Sequence, residues 1–179
     1  LFDAHQPQGF ELAATTHLSD ATPEPPFMEL RVSAKTLVAT DIWCFELRHD
    51  GDESLPPFTA GSHLTVQTPS GVRRNYSLCS DPADTHCYQI AVKRDGHGRG
   101  GSISMADDVQ TGDTVMVSVP RNNFELHPKA DQFLFIAGGI GITPILSMMR
   151  ALRRSGRAQF QLIYCTRDAA GTAFRDVLQ

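Results

Sequence analysis

At 179 residues the chain is long enough for one domain, or for one small domain with part of another, and its 41% hydrophobic content is that of a globular protein. A formal net charge of −4 and a sequence pI near 5.9, with no basic and aromatic patch to offset them, argue against general nucleic-acid affinity. No apolar run approaches the roughly 20 residues needed to span a bilayer, and the N-terminal stretch lacks a charged start, an apolar middle and a cleavage site, so a soluble, cytoplasmic protein with no membrane partner is expected.

Residues 1–26, with Pro7, Pro23, Pro25 and Pro26 among several Ser and Thr, show no sustained hydrophobic period and read as an extended arm or linker. Leu1 is not an initiator methionine, so processing or a cloned fragment is expected. From 27 to 126 short runs rich in Val, Ile, Leu and aromatics alternate with Gly, Pro, Asp and Ser. Six strands are predicted, at 28–38, 42–48, 63–67, 75–78, 88–93 and 114–118, a spacing that suggests an antiparallel barrel or sandwich. One exception inside this region, residues 102–109, reads as a short helix entered from glycines and capped by Ser102.

After Leu126 the period changes. Residues 132–137 read as a buried strand, 143–154 as a helix capped by Thr143, opened by Pro144 and ended by Gly156, and 159–165 as a second strand. Residues 171–178 suggest another helix. Strand, helix and strand in this order predict a right-handed parallel unit. Two parallel strands leave a sheet edge open and cover too little surface to stand alone, so residues 127–179 read as a domain truncated after its start. The cysteines, Cys44, Cys79, Cys87 and Cys165, have neither zinc-ligand spacing nor the clustered spacing of a plant-type [2Fe–2S] site, and read as isolated thiols filling apolar positions. No metal ligands are expected among the dispersed histidines.

Three segments carry the chemistry. In Arg74-Asn75-Tyr76-Ser77, the Arg74 fork suits a phosphate, the Tyr76 ring suits stacking, and the Ser77 hydroxyl suits a hydrogen bond to a ring edge. The same residues also suit an ordinary barrel strand with a solvated arginine. In Gly100-Gly101-Ser102, small residues let backbone amides approach an anion while the following helix turns its positive end toward it; a flexible hairpin loop is the alternative. Ala91, Val92 and Lys93 on the preceding strand offer backbone groups to a ring edge, with Lys93 either a nearby charge or an exposed lysine. The third segment, Gly138-Gly139-Ile140-Gly141-Ile142-Thr143-Pro144, is a close-approach turn between strand and helix whose spacing differs from the Gly-x-Gly-x-x-Gly fingerprint. Tyr164-Cys165-Thr166-Arg167 ends the second strand at the carboxyl edge, where ligands of open α/β sheets bind.

In this order the segments resemble the ferredoxin-reductase superfamily of flavin oxidoreductases, and within it the phthalate dioxygenase reductase branch, which includes reductase components of Rieske oxygenases. The resemblance implies an antiparallel β-barrel flavin-binding domain over 27–126, followed by an incomplete α/β nicotinamide-binding domain over 127–179. It implies flavin contacts for Arg74, Tyr76, Ser77, Ala91, Val92, Lys93, Gly100, Gly101, Ser102 and Thr143, and NAD(P)H contacts for Gly139, Gly141, Cys165, Thr166 and Arg167. The form of residues 98–102 resembles members that use FMN, with FAD the alternative, and Cys165-Thr166-Arg167 resembles members that prefer NADH over NADPH. The expected activity carries electrons from NAD(P)H through flavin to a [2Fe–2S] centre, in a C-terminal domain missing here, that supplies an oxygenase component. No side chain is expected to act as a covalent catalyst. A noncatalytic flavin-binding or protein-interaction module, and a free-standing flavin or siderophore-iron reductase, are the alternatives.

Overall fold

The computed structural model describes residues 26–156 and 159–178. The expected arm thus lies outside the described residues except for Pro26, whose carbonyl accepts the Val119 N–H at 3.3 Å. The first part of the chain forms β1 (Phe27–Ala39), β2 (Ile42–Arg48), β3 (Ser62–Gln67), β4 (Arg73–Ser77), β5 (Tyr88–Lys93), α1 (Gly101–Asp108), β6 (Thr114–Ser118) and β7 (Arg121–Asn122). Alternating apolar residues drive the strands to one curved antiparallel sheet of order β4-β3-β6-β1-β2-β5, with the short, unpredicted β7 paired to β3. Leu30, Val32, Phe45, Leu47, Leu64, Val66, Ile90, Val92 and Val117 fill its interior, closed at one end by Met105 and Val109 around α1. The ladder does not run fully round as a barrel. Its end strands, β4 and β5, meet through a single bridge, Leu78–Ile90, just beyond the end of β4.

The second part forms β8 (Gln132–Gly138), a 3-10 turn (Gly139–Gly141), α2 (Ile142–Ser155), β9 (Gln159–Cys165) and α3 (Arg175–Leu178). The parallel register runs from Gln132 opposite Gln159 to Gly138 opposite Cys165. Helix α2 ends where predicted, with Gly156 left-handed at φ 60° and its N–H on the Arg153 carbonyl. It buries Ile145, Leu146, Met149 and Leu152 against Phe135, Ala137 and the outer face of β2 and β5. There the small residues Cys44 of β2, Ala91 of β5 and Cys79 just beyond β4 let the second part pack closely against the strands. Arg150 adds hydrogen bonds to the Cys79 carbonyl (2.6 Å) and the Gln89 side chain (3.0 Å), and Arg154 pairs with Asp81 at 2.9 Å.

Four expectations are corrected. Ser102 does not cap α1: Gly100 holds that place in the left-handed region (φ 84°) that a Cβ disfavours, and the Ser102 hydroxyl instead accepts the Asp95 N–H at 3.1 Å to close the preceding loop. Thr143 does not cap α2, because the 3-10 turn delivers the chain already helical at Gly141; its hydroxyl donates to the Ile140 carbonyl at 3.0 Å. Pro144 is therefore third rather than first in the helix, a place it tolerates because first-turn N–H groups have no intrahelical acceptor. The helix expected from 171 begins only at Arg175, since Asp168 ties the Gly171 N–H (2.7 Å) and the Thr172 hydroxyl (2.9 Å) into a turn and Phe174 adopts φ 61°. The cysteines are free, as expected; Cys44 and Cys79 share the apolar cluster beside α2, where the Cys79 thiol donates to the Gln89 carbonyl at 3.3 Å and the neighbouring Cys44 side chain together with burial raises its pKa.

Candidate functional site: a seam in the antiparallel sheet

Continuing the antiparallel register of the Leu78–Ile90 bridge would set Tyr76 across from Val92, but the two strands are not laddered there. The inner edge of Ala91, Val92 and Lys93 is consequently unpaired by any strand among the described residues, while β2 takes the other edge. The seam is bounded on one side by Arg74 and Tyr76 and on the other by this edge. The Ala91 and Val92 side chains are buried on opposite faces of the strand, so the backbone is what these two residues offer to a ligand. Such an edge can hydrogen-bond the rim of a flat heterocycle much as it would a neighbouring strand.

At one end of the seam the Arg74 side chain lies against Gly101: a Cβ built on that glycine would come within 3.1 Å of Arg74 Cγ and 3.2 Å of its Nε. Arg74 is thereby placed beside the first turn of α1, whose start has no side-chain cap and no acidic residue. The guanidinium, which gives one N–H to the Arg73 carbonyl at 2.8 Å, and the helix-terminal N–H groups are the kinds of donor that suit an anion. Tyr76, packed on the barrel core, has its hydroxyl buried without a hydrogen-bond partner. Burial pushes its pKa up to about 12, against a smaller opposing effect of Arg74. A buried hydroxyl with no partner is a group awaiting one, and a ligand in the seam would supply it.

On the outer face of the sheet, beside the end of β5, a cleft of about 670 Å³ joins the two parts of the chain. Lys93 lines it together with Gly139, Cys165, Thr166 and Arg167, which places one expected flavin residue among four expected nicotinamide residues. Gly141 lies in the adjoining 3-10 turn, and Thr143 is buried just after it. Ser77 falls elsewhere. Its side of β4 lines a separate cleft of about 250 Å³ with Gly61, His63, Asn75 and Phe124. The sequence reading missed Asp41 and Asp168, which also line the larger cleft. Asp41 sits at φ 58° in the β1–β2 turn and its carbonyl accepts the Arg94 N–H at 2.7 Å, holding that turn beside the end of β5. Asp168 directly follows the Cys-Thr-Arg segment, and its Oδ1 accepts the Gly171 N–H at 2.7 Å. Among the described residues no group of three or more His, Cys, Asp or Glu could hold a metal ion, and no helix is long and apolar enough to cross a membrane.

The chain belongs to the ferredoxin-reductase family of flavin oxidoreductases. The oxidoreductase FAD-binding domain matches residues 29–126 and the oxidoreductase NAD-binding domain matches residues 135–179. Within the family it is similar to phthalate dioxygenase reductases. It is 57% identical over 152 residues to the phthalate 4,5-dioxygenase oxygenase reductase subunit of Pseudomonas putida (85% of this chain, 47% of that one). It is 54% identical over 155 residues to the phthalate dioxygenase reductase of Burkholderia cepacia (87% and 48%). A solved phthalate dioxygenase reductase, described as a modular structure for electron transfer from pyridine nucleotides to [2Fe–2S], superposes with a TM-score of 0.84 at 55% identity, covering 85% of this chain and 47% of that one. The chain spans about half the length of the curated relatives it matches.

Proposed function

We propose that the chain is the flavin-binding and nicotinamide-receiving part of a reductase component, passing electrons from NADH through FMN to a [2Fe–2S] centre in a further domain and thence to an oxygenase. The observation that carries this reading is the seam itself: an unpaired strand edge along Ala91 to Lys93, with Arg74 set against Gly101 and a nucleotide-sized cleft beginning at Lys93. The residues present fit a flavin, because the orphaned Tyr76 hydroxyl and the bare start of α1 are polar groups that such a ligand satisfies. When bound, the flavin supplies acceptance of a hydride and release of electrons one at a time.

The chain's own residues bind and orient. Arg74 with the Gly100, Gly101 and Ser102 backbone holds a terminal phosphate, which favours FMN, since a site for a single end phosphate needs nothing to cover an adenine. Tyr76 and the backbone of Ala91 and Val92 would hold the ring, and Lys93 would supply a positive charge beside it. Ser77 approaches through its backbone, its hydroxyl lying toward the smaller cleft. Thr143, fixed by its bond to Ile140, holds the glycine turn of Gly139 and Gly141 at the ring, so that a nicotinamide entering the cleft stacks there. Cys165, Thr166 and Arg167 take the remainder of the dinucleotide. Asp168, which lines the cleft beside Arg167, supports NADH over NADPH, since a carboxylate there would repel a 2′-phosphate.

Purified protein, as isolated or reconstituted, is heated and the released cofactor identified by chromatography. FMN in a one-to-one ratio is the expected result. Stoichiometric FAD would reject the phosphate assignment, and a colourless protein that takes up neither flavin would reject the reading altogether.

A further inference from the structure

Helix α1, which presents the proposed phosphate site, is poorly equipped to hold itself. It has eight residues, no side-chain cap at its start, no acid in its first turn and no base in its last. Isolated helices of that length are marginal in water. Its carboxyl end is instead satisfied from a distant strand: Lys35 of β1 donates from Nζ to the carbonyls of Ala106 (2.6 Å) and Val109 (2.8 Å). The same ammonium sits 4.8 Å from the centre of the Trp43 ring and 5.7 Å from that of Phe45, so it is held between aromatic faces and the helix end. The second clamp on this end, Arg94 with Asp107 at 2.9 Å, is between partly exposed side chains and holds less firmly.

We propose that Lys35 is a positioning residue for the flavin phosphate: by neutralising the negative pole of α1 and fixing its last turn to β1, it holds the N–H groups of the first turn against Arg74. The inference rests on the flavin reading above. Lys35 binds the helix end opposite the ligand, so its loss should lower affinity for the phosphate and leave affinity for the ring unchanged. Riboflavin, which has the ring and no phosphate, separates the two.

The dissociation constants of FMN and riboflavin are measured by flavin fluorescence for the wild type, Lys35→Met and Lys35→Arg. FMN affinity is expected to fall about tenfold in Lys35→Met, with riboflavin affinity unchanged and Lys35→Arg recovering most of the loss. A wild-type ratio of the two affinities in Lys35→Met, or a parallel fall in both, overturns the proposal. If Lys35→Met yields no folded protein, Lys35→Gln, which keeps one donor for the helix end, is held to the same criterion. A wild type that binds riboflavin as tightly as FMN is a different failure: it removes the phosphate site, and with it the role of Lys35.

Discussion

Tyr76 is the residue at which the proposed chemistry and the stability of the protein pull apart. Its buried hydroxyl has no partner, so removing it should cost the flavin-free protein nothing and can gain up to about 1–3 kcal/mol, while a flavin in the seam loses a hydrogen bond. Tyr76→Phe is therefore expected to melt at or above the wild-type temperature without flavin and to bind FMN more weakly, two measurements moving in opposite directions. A fall in both would mean that the hydroxyl has a structural partner. The pH dependence carries the same signature. The Tyr76 pKa is raised from 10.0 to about 12 on folding, so the folded state retains a proton that the unfolded state gives up. Titration of this group leaves stability unchanged below pH 10 and lowers it as pH rises toward 12, so melting temperatures of Tyr76→Phe should fall less steeply across that window. For Arg74→Ala, loss of a charge-assisted phosphate contact should weaken FMN binding by about 1.5–3 kcal/mol, against less for the exposed Lys93→Ala, as read by fluorescence titration. Equal FMN affinities of wild type and Arg74→Ala would make Arg74 a surface residue. Arg74 and Tyr76 were visible in sequence because a phosphate and a ring demand particular side chains close together in the chain. Lys35 was not, because its partners lie 71 and 74 residues away and a lysine in a strand pattern looks solvated.

Elements were legible where burial has a period. Six strands of the antiparallel sheet, both parallel strands and the body of α2 follow from short apolar runs or helical spacing, although β2 and β5 are buried on both faces, against the sheet interior and against α2. The helix starts were misread because side-chain capping was assumed where backbone solved the problem: a left-handed glycine before α1, a 3-10 turn before α2. The two-residue β7 is too short for any period, and the seam between β4 and β5 is a missing ladder, which no local pattern marks. Gly61 shows how tightly the sheet's crossing is fixed. Its φ is +98°, and a Cβ there would lie 1.9 Å from the Phe124 carbonyl oxygen, a backbone atom that cannot swing aside. Gly61→Ala thus combines strain with a clash at the point where β3 enters beside β7, and should destabilise by about 4 kcal/mol or more. Denaturant unfolding monitored through Trp43 checks this. A loss under about 1 kcal/mol would show that the segment around Phe124 yields easily.

The whole molecule combines a well-supported flavin seam with a thinly built nucleotide side. Behind the seam, α2 is fixed to the sheet by a shared apolar cluster and by Arg150, so the glycine turn cannot drift from β5. The parallel unit, however, has two strands, and one of its faces leaves Leu134 59%, Ile136 66% and Ile163 49% exposed. Among the described residues, the turn, the end of β9 and the cleft between them are what a dinucleotide would meet. Binding energy from parts of a substrate remote from the reacting atoms is what holds those atoms in place, so a thin grip costs rate as well as affinity. The 179-residue chain is therefore expected to bind FMN normally yet accept hydride from NADH slowly, with saturation only at high NADH. Anaerobic stopped-flow bleaching of the flavin, run beside one of the longer reductase relatives, measures both quantities. If the two proteins bleach at the same rate and saturate at the same NADH concentration, the two-stranded unit already supplies the full nicotinamide site. If NADH never bleaches a correctly loaded flavin, the chain is a flavin-binding module whose bare β8–β9 face has some use other than hydride transfer.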